Sequence, residues 1–228
     1  MKTKMRIAVA GGALVGCLCG GLIVLAQGPR VQPGLIERAM PDFELPGLDG
    51  QTVALSQLKG KNVLLVFPRG RYSDQSWCQL CHYQYAELAE MEKTQQFRAK
   101  YNVEVLFVLP YAKDVVEKWV TMFPQQMADV DKWREGSPAM GRNLPKKVAF
   151  RPGPGNLPLP ILYDADQAVS KRLGLFSRTW DGTTTDQNVP TVFLIDKAGV
   201  VRFKYTSQNT LDRPSAGYLV NLLGKMLD

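Results

Sequence analysis

The chain has few residues that bind metals or form disulfides, with four cysteines and one histidine in 228 residues. Cys17 and Cys19 lie in an apolar N-terminal stretch, which leaves Cys78 and Cys81 for the rest of the chain. A small secreted domain held by disulfides carries more cysteines, spread along its length. A tetrahedral zinc site needs a second pair of ligands, which this sequence lacks. We therefore expect no metal and no cofactor, and we expect the cysteine pair to serve chemistry.

The chain also lacks a long block of basic residues, although its formal net charge is +7. Its lysines and arginines are scattered, which is typical of a solvated basic surface rather than a nucleic-acid-binding patch. The sequence shows no internal repeat, and its hydrophobic share of 45% is that of an ordinary globular protein. We therefore expect a single globular domain with no nucleic-acid partner.

The N-terminal segment 1–27 is expected to be a signal anchor or a signal peptide. Lys2, Lys4 and Arg6 precede the stretch Ile7–Ala26, which contains no charged residue. As a helix this stretch is about 30 Å long, which matches the thickness of a bilayer core. The positive flank stays in the cytoplasm, so the domain that follows is expected to be exported.

Three fates of this segment are open. The first in rank is an uncleaved membrane anchor, which holds the domain on the extracytoplasmic, periplasmic side. The second is cleavage after Val24-Leu25-Ala26, which releases a secreted domain. The third is a lipoprotein, because Leu14-Val15-Gly16-Cys17 resembles a lipobox. Residues 28–39, with Pro29 and Pro33, are expected to form a linker to a domain over residues 40–228.

Within this domain, strand patterns alternate with helix patterns. Continuous apolar runs predict strands buried on both faces, and apolar residues spaced three or four apart predict helices. The expected elements are a hairpin over Phe43–Leu45 and Thr52–Leu55, strands Asn62–Phe67, Val103–Leu109, Leu159–Tyr163, Thr191–Ile195 and Val200–Tyr205, and helices Cys78–Lys100, Asp114–Met122, Asp166–Leu173 and Pro214–Leu227. This order predicts an α/β fold with a mixed central sheet and helices on both of its faces.

Two segments have no regular pattern. Pro68–Trp77 is expected to be a loop. Residues 123–158 are rich in glycine and proline, and we expect a long insertion with no more than a helical turn around Met127–Trp133. A loop of this length inside a compact domain is typically functional or disordered.

The pair Cys78 and Cys81 follows a buried strand and opens a predicted helix. The first turn of a helix has free N–H groups and the positive end of the helix dipole, so a thiolate there is stabilised. The pKa of a cysteine falls to ~3.5–7.5 in such settings. Cys78 is therefore the expected nucleophile, and Cys81, one turn on, can attack a mixed disulfide formed on Cys78. Arg69 and Arg71 either add positive potential to this thiolate or are ordinary solvated arginines.

A second feature lies far away in the sequence. Val189-Pro190-Thr191 leads into a predicted strand, where proline is permitted at the entrance. Trp77-Cys78-x-x-Cys81 at a strand-to-helix junction, with this Val-Pro-Thr and the hairpin Phe193–Phe203 downstream, resembles the thioredoxin superfamily. The entry Pro41–Gly50 resembles its AhpC/TSA branch, the redoxin and peroxiredoxin-like proteins.

This resemblance covers about Met40 to Asp228 and implies a thioredoxin-like fold. It implies that Cys78 attacks and Cys81 resolves. It also implies that Pro190 is a cis-proline facing the disulfide, with Val189 and Trp77 beside it in a substrate-binding groove.

The sequence departs from the peroxiredoxin pattern Pro-x-x-x-Thr/Ser-x-x-Cys. Pro68 lies ten residues before Cys78 and Ser73 lies five residues before it. The leading hypothesis is therefore an exported thiol–disulfide oxidoreductase that acts on protein or small-molecule disulfides and thiols. The alternatives are a peroxiredoxin-like thiol peroxidase, which acts on peroxide, and a non-enzymatic chaperone or assembly partner that docks through the insertion.

His82 raises one further alternative. Cys78-x-x-Cys81-His82 also matches the attachment pattern of c-type haem, in which the histidine is an axial ligand. The surrounding alternation of strands and helices argues against a small helical cytochrome. We expect His82 to be a polar residue at the exposed edge of the helix, with Glu87 and Glu90 also facing solvent.

Overall fold

The computed structural model describes residues 34–138, 141, 144 and 146–226. The predicted N-terminal helix, with its candidate lipidation site Cys17, lies outside these residues. In the described part of the chain, no helix is both long enough and apolar enough to span a bilayer. Residues 37–40 already pair with the chain around Gly199 and Val201, so the folded domain begins slightly before Met40.

The described residues of the domain form a five-stranded mixed sheet and three two-stranded hairpins. Its strands are β1 (Glu44–Pro46), β2 (Thr52–Ala54), β3 (Asn62–Phe67), β4 (Arg71–Ser73), β5 (Ser76–Trp77), β6 (Val103–Leu109), β7 (Ile161–Tyr163), β8 (Phe176–Trp180), β9 (Thr183–Asn188), β10 (Thr191–Ile195) and β11 (Val201–Thr206). The helices are α1 (Gln79–Gln95), α2 (Phe97–Lys100), α3 (Lys113–Thr121), α4 (Phe123–Gly136), α5 (Ala168–Arg172) and α6 (Ala216–Met226), and Leu55–Leu58 forms a single 3₁₀ turn.

The central sheet has the order β11-β10-β3-β6-β7. Strand β3 pairs in parallel with β6 and antiparallel with β10, so the sheet is mixed. Alternate residues of β3 reach opposite sides: Leu64 and Val66 pack towards α1, α3, α4 and α6, and Leu65 and Phe67 pack on the side of α5. Each fully buried side chain of this kind contributes roughly 1.5–3 kcal/mol. The predicted thioredoxin-like fold with a mixed sheet covered on both faces is confirmed.

The first structural difference from the sequence-based prediction lies in the insertion. Phe123–Gly136 is a helix, α4, rather than an irregular loop. Phe123, Met127 and Val130 recur at helical spacing and are buried, so the segment gains an apolar face. The glycine and proline content masked this pattern, but Pro124 lies in the first turn, where its missing N–H costs nothing.

The second difference is an unpredicted hairpin, β8–β9. Its turn is Asp181-Gly182, and both residues have positive φ angles, of 47° and 74°. Asp-Gly is a strong signal for such a turn. The signal was missed because strand β9, Thr183–Asn188, is almost wholly polar and has no apolar alternation. A shorter hairpin, β4–β5, likewise replaces the loop predicted over Pro68–Trp77.

The third difference concerns the predicted helix after Cys78. The helix breaks at Gln96, which adopts a left-handed conformation with φ of 49°. Glu87 and Glu90 are buried rather than solvated, because each accepts hydrogen bonds from another segment. Glu87 accepts from the N–H of Ala216 at the start of α6, and Glu90 accepts from the N–H groups of Ala149 and Phe150.

Candidate active site at Cys78 and Cys81

Cys78 is the N-cap of α1, so the predicted position of the pair at a helix start is confirmed. The N–H of Cys78 donates to the carbonyl of Gly70 at 2.9 Å, and the N–H of Cys81 donates to the carbonyl of Cys78 at 3.1 Å. Both cysteines carry free thiols. Cys78 is 2% exposed and Cys81 is fully buried, so neither thiol meets bulk solvent freely.

The pKa values of the two thiols are shifted in opposite directions. A hydrogen bond from the Cys81 thiol, with help from the charges of Arg213 and Arg69, overcomes burial and lowers the pKa of Cys78 to about 6. Burial, together with the hydrogen bond to Cys78 and its charge, raises the pKa of Cys81 well above its ordinary value. At pH 7 Cys78 is therefore largely a thiolate and Cys81 a thiol. A nucleophile beside a protonated partner is the arrangement that thiol–disulfide chemistry needs.

Arg69 is fully buried, so it is not an ordinary solvated arginine. Its guanidinium donates to Gln187 Oε1 at 2.6 Å, to Thr210 Oγ1 at 2.7 Å and to the hydroxyl of Thr183. It also stacks on the ring of Trp180, with 5.1 Å between the guanidinium carbon and the ring centroid. Among the described residues no carboxylate lies within ion-pair distance of Arg69, so its charge remains available to the Cys78 thiolate.

Arg71 plays a different part. Its guanidinium lies over the rings of Trp77 and Tyr111, at 5.0 and 5.5 Å from their centroids. It is not among the principal groups that lower the pKa of Cys78. The charges of Arg69 and of a third arginine lower the pKa of Cys78, and the predicted role of Arg71 stays a prediction.

Arg213 is the functional candidate that sequence reasoning missed. It lies in the loop before α6, and its Nη1 donates to the carbonyls of Asn209 and Asp212 at 3.2 and 2.9 Å. Its Nε and Nη2 are buried and have no hydrogen-bond partner. Its charge lowers the pKa of Cys78 more than that of Arg69 does. No local motif marks Arg213, because it lies 135 positions after Cys78 and the fold alone brings the two residues together.

Tyr111 fixes the loop that carries Arg69 and Gly70. Its hydroxyl accepts from the N–H of Arg71 at 2.9 Å and donates to the carbonyl of Asp186 at 2.8 Å. Its ring packs edge-on against Trp77, with centroids 6.0 Å apart. Gly70 has φ of +82°, and a Cβ atom there would lie 2.5 Å from the Tyr111 ring. Glycine is therefore required where the loop turns towards Cys78.

Val189 and Pro190 lie where the chain returns to the sheet. The peptide bond before Pro190 is trans, as are all peptide bonds of the described residues, so the expectation of a cis-proline is wrong. Trans is the ordinary preference of an X–Pro bond. The carbonyl of Pro190 accepts from the N–H of Ser207 at 2.9 Å, and the N–H of Val189 donates to Leu175 at 2.7 Å. The two residues do not line the groove beside Cys78, and their predicted role in substrate binding stays a prediction.

A groove of about 670 Å³ opens beside Cys78. We call it the Cys78 groove. Its lining includes Cys78 with its chain neighbours Trp77 and Leu80, Lys132 and Trp133 from α4, and Thr210 and Leu211 from the loop before α6. The predicted substrate-binding residue Trp77 is thus beside the pair. The groove has the size of a site for an organic ligand or a peptide, well above the need of a peroxide molecule.

His82 is fully buried, so the expectation of an exposed position is wrong. Its ring stacks on Trp119 with centroids 4.3 Å apart. Its Nδ1 lies 3.1 Å from the carbonyl of Cys78, and its Nε2 lies 2.9 Å from the carbonyl of Trp119. Burial lowers its pKa to about 4, so the ring is neutral at pH 7. Both ring nitrogens face the backbone, which leaves neither directed outward as a haem ligand. The part of the chain that the structure describes holds no cluster of three or more metal-ligating side chains.

Comparison with known proteins identifies the family. The family model "AhpC/TSA family" matches residues 36–204. This chain belongs to the AhpC/TSA family. A search of curated proteins gave no significant match.

Solved structures resemble this AhpC/TSA protein in fold. A Plasmodium vivax 2-Cys peroxiredoxin is 20% identical with a TM-score of 0.53, and the match covers 84% of this chain and 81% of that one. Enterococcus faecalis AhpC is 15% identical with a TM-score of 0.55, covering 85% of this chain and 92% of that one. The peroxidoxin BcpB of Mycobacterium tuberculosis is 17% identical with a TM-score of 0.53, covering 86% of this chain and all, 100%, of that one. The family makes this AhpC/TSA protein an oxidoreductase with a thiol peroxidase or related redox role, which disfavours the non-enzymatic alternative.

Proposed function

We propose that this protein catalyses thiol–disulfide exchange through Cys78 and Cys81. The observation that carries the proposal is the pairing, at the start of α1, of one thiol with a lowered pKa and one with a raised pKa. The pKa of Cys78 is lowered to about 6 and that of Cys81 is raised. The adjoining groove is far larger than a peroxide requires, which supports a bulkier disulfide as substrate.

The proposed cycle begins with the Cys78 thiolate. It attacks one sulfur of a substrate disulfide, the substrate S–S bond breaks, and the released sulfur leaves as a thiolate that takes up a proton. Cys81 then loses its proton and attacks the Cys78 sulfur. This step expels the second substrate thiolate and leaves a Cys78–Cys81 disulfide. Two electrons have passed to the substrate, and a dithiol reductant returns the pair to its starting state.

The test uses Cys81→Ser and Cys78→Ser variants with hydroxyethyl disulfide, a small neutral substrate. We expect Cys81→Ser to accumulate a mixed disulfide on Cys78, visible in intact-protein mass spectrometry as the added mass of one mercaptoethanol less two hydrogens. Cys78→Ser should form no adduct and lose turnover. Turnover that survives Cys78→Ser would sink the proposal.

A second candidate, thiol peroxidase activity, is favoured by membership of the AhpC/TSA family. In that reaction the Cys78 thiolate attacks the O–O bond of a hydroperoxide, becomes a sulfenic acid and releases water or an alcohol. Cys81 then attacks the sulfenic sulfur, and a second water leaves as the disulfide forms. Hydrogen peroxide consumption by the reduced protein, compared with Cys78→Ser, tests it. Equal rates in the two proteins would exclude peroxidase activity.

We also propose that segment 1–27 exports the domain. The support is its positive flank and uncharged apolar stretch. Alkaline phosphatase folds to an active form only outside the cytoplasm, because it needs disulfides. A fusion of this enzyme after residue 40 should therefore be active in a bacterial host, and a fusion lacking residues 1–27 should be inactive. Equal activity of both fusions would refute export.

A further inference from the structure

Besides the β4–β5 hairpin, which carries Tyr72, two segments outside the central sheet form walls of the Cys78 groove. One is the end of helix α4, which contributes Lys132 and Trp133, and the other is the loop before α6, which contributes Thr210 and Leu211. Both walls pack next to the α1 N-terminus, where Cys78 lies. The side chains of these walls are therefore not part of the central sheet. They can determine which substrate reaches the Cys78 sulfur.

Exposed apolar side chains concentrate on this groove. The described residues include five large hydrophobic side chains that are exposed, and three of them line it. These three are Tyr72, Trp133 and Leu211, which are 48%, 40% and 43% exposed. Aromatic side chains that remain exposed around a pocket are typical of protein-binding surfaces, where Trp and Tyr supply most of the affinity.

The charge of the groove has one sign. Lys132 is the single charged residue of its described lining, which contains no carboxylate. Lys132 has no ion-pair partner among the described residues, whereas Lys113, Lys118, Lys146 and Lys147 each pair with a carboxylate. Arg69 and Arg213 add positive potential behind Cys78. An occupant with a negative charge near Lys132 is therefore favoured over one with a positive charge.

We propose that the Cys78 groove binds an extended polypeptide segment with a disulfide-bonded cysteine, an apolar residue next to that cysteine and an acidic residue beyond it. The apolar side chain lies between Trp133 and Leu211, and the acidic side chain faces Lys132. The substrate cysteine meets Cys78 at the floor of the groove. This inference rests on the proposed exchange function, and it places substrate selection in α4 and the loop before α6 rather than at Val189 and Pro190.

The kinetic test uses the reduced full-length protein and a nonapeptide whose central cysteine is a mixed disulfide with mercaptoethanol. A leucine precedes the cysteine and a glutamate follows two residues later, and dithiothreitol serves as the dithiol that regenerates the enzyme. We expect Trp133→Ala and Leu211→Ala each to lower kcat/KM for this peptide about tenfold. Turnover of hydroxyethyl disulfide, which is too small to span the groove walls, should fall by a clearly smaller factor than turnover of the peptide. Tyr218→Ala, which removes an exposed aromatic on α6 outside the groove lining, is the matched control.

The charge is tested with Lys132→Glu. This variant should lower kcat/KM for the glutamate peptide about fivefold and raise it for a peptide with lysine at that place, with the difference shrinking at high salt. Lys197→Glu, a charge reversal in the β10–β11 turn, should change neither rate. Unchanged peptide preference in Lys132→Glu would overturn the charge assignment.

A binding measurement separates failure of this inference from failure of the exchange chemistry. A fluorescein-labelled peptide with serine in place of its cysteine cannot react, and its anisotropy reports binding alone. We expect binding to the wild-type protein that is weakened about tenfold by Trp133→Ala. If hydroxyethyl disulfide is turned over but this peptide does not bind, the groove assignment is wrong. If the peptide binds through Trp133 but no disulfide is turned over, the assignment stands and the exchange function fails.

Discussion

The central sheet and the surroundings of Cys78 are held together by different interactions. Strand β3 is buried along its whole length, and its side chains pack between two apolar clusters. Around Cys78 a buried guanidinium and a buried amide are joined to two half-buried hydroxyls by hydrogen bonds from Arg69 to Gln187, Thr183 and Thr210. The first region gains stability from area removed from water, and the second from partners placed at defined distances.

The two regions also differ in where their residues lie in the sequence. Each strand of the central sheet is a short continuous run of mostly apolar residues, which can be recognised from its own sequence. Arg69 instead donates hydrogen bonds to residues that lie between 114 and 141 positions later in the sequence. The sheet can therefore tolerate conservative apolar changes, whereas each polar contact near Cys78 depends on one partner from a distant segment. The comparison predicts that stability and thiol acidity can be changed separately.

The largest effect is expected from Phe193→Ala in strand β10. Phe193 is fully buried and packs edge-on against Phe67, on the sheet face away from the cysteine pair. Its loss should lower the free energy of unfolding by about 3–5 kcal/mol, measured by urea titration. The pH midpoint of Cys78 alkylation in the folded fraction should not move. A shift of that midpoint would show that the two regions are coupled. Phe193→Leu gives a milder variant should the alanine form fail to fold.

Gly70→Ala tests the junction of the two regions. The new Cβ would lie 2.5 Å from the Tyr111 ring in a backbone conformation with φ of +82°. We expect a loss of about 1–3 kcal/mol in stability, together with a change in the alkylation rate of Cys78, because Gly70 accepts the Cys78 N–H. Gly199→Ala has nearly the same φ, +84°, with open space around it, so it reports the backbone strain alone. Equal effects of the two substitutions on alkylation would refute a role of Gly70 in placing Cys78.

Arg213→Met should change acidity with little change in stability. The pKa of Cys78 is lowered to about 6, so its alkylation by iodoacetamide should rise with pH through about 6 and then level off. Removing the Arg213 charge removes stabilisation of the thiolate, so the midpoint should move to higher pH, by about one pH unit. Arg178→Met, a substitution on exposed strand β8, is the control. A midpoint that stays near 6 in Arg213→Met would remove Arg213 from the site.

The smallest effect is expected from Glu87→Gln on α1. Burial raises the pKa of Glu87, because the folded protein disfavours the charged carboxylate. The folded state therefore loses stability as Glu87 ionises, when the pH rises through this raised pKa. Glutamine keeps an oxygen for the N–H of Ala216 but carries no charge. We expect a gain of up to about 1 kcal/mol at pH 7 that disappears below pH ~4. Urea titrations at both pH values measure it, and a loss at pH 7 would contradict the assignment.

Much of the framework could be predicted from the sequence. The bounds of β3, β6 and β10 were predicted to the residue, because continuous apolar runs between turn residues leave little ambiguity. The placement of Cys78 at the start of α1 followed from the same pattern. Export, the role of Val189 and Pro190, and the catalytic roles of Cys78 and Cys81 stay predictions.

The parts that escaped prediction are polar or depend on distant contacts. Strand β9 has no apolar alternation, and α4 carries proline and glycine at its ends. Neither element could therefore be recognised from the spacing of its apolar residues. Glu90 looked solvated because its partners, the N–H groups of Ala149 and Phe150, lie about 60 residues away in the insertion. In the sequence, nothing distinguishes Arg213 from the other arginines. Its role depends on the contact between the loop before α6 and α1 in the folded protein. Local pattern thus identifies elements, but partners of buried charges come from topology.

The raised pKa of Cys81 has a consequence for timing. In the proposed exchange cycle, a substrate joined to Cys78 by a disulfide is released only after Cys81 loses its proton, and burial of Cys81 disfavours that loss. The dwell time of the covalent complex is then set from inside the protein by a residue the substrate never touches. Alkaline conditions shorten the dwell and acidic conditions prolong it. In that proposed cycle, buried Cys81 sets how long the covalent complex lasts, and the Cys78 groove sets which substrates bind.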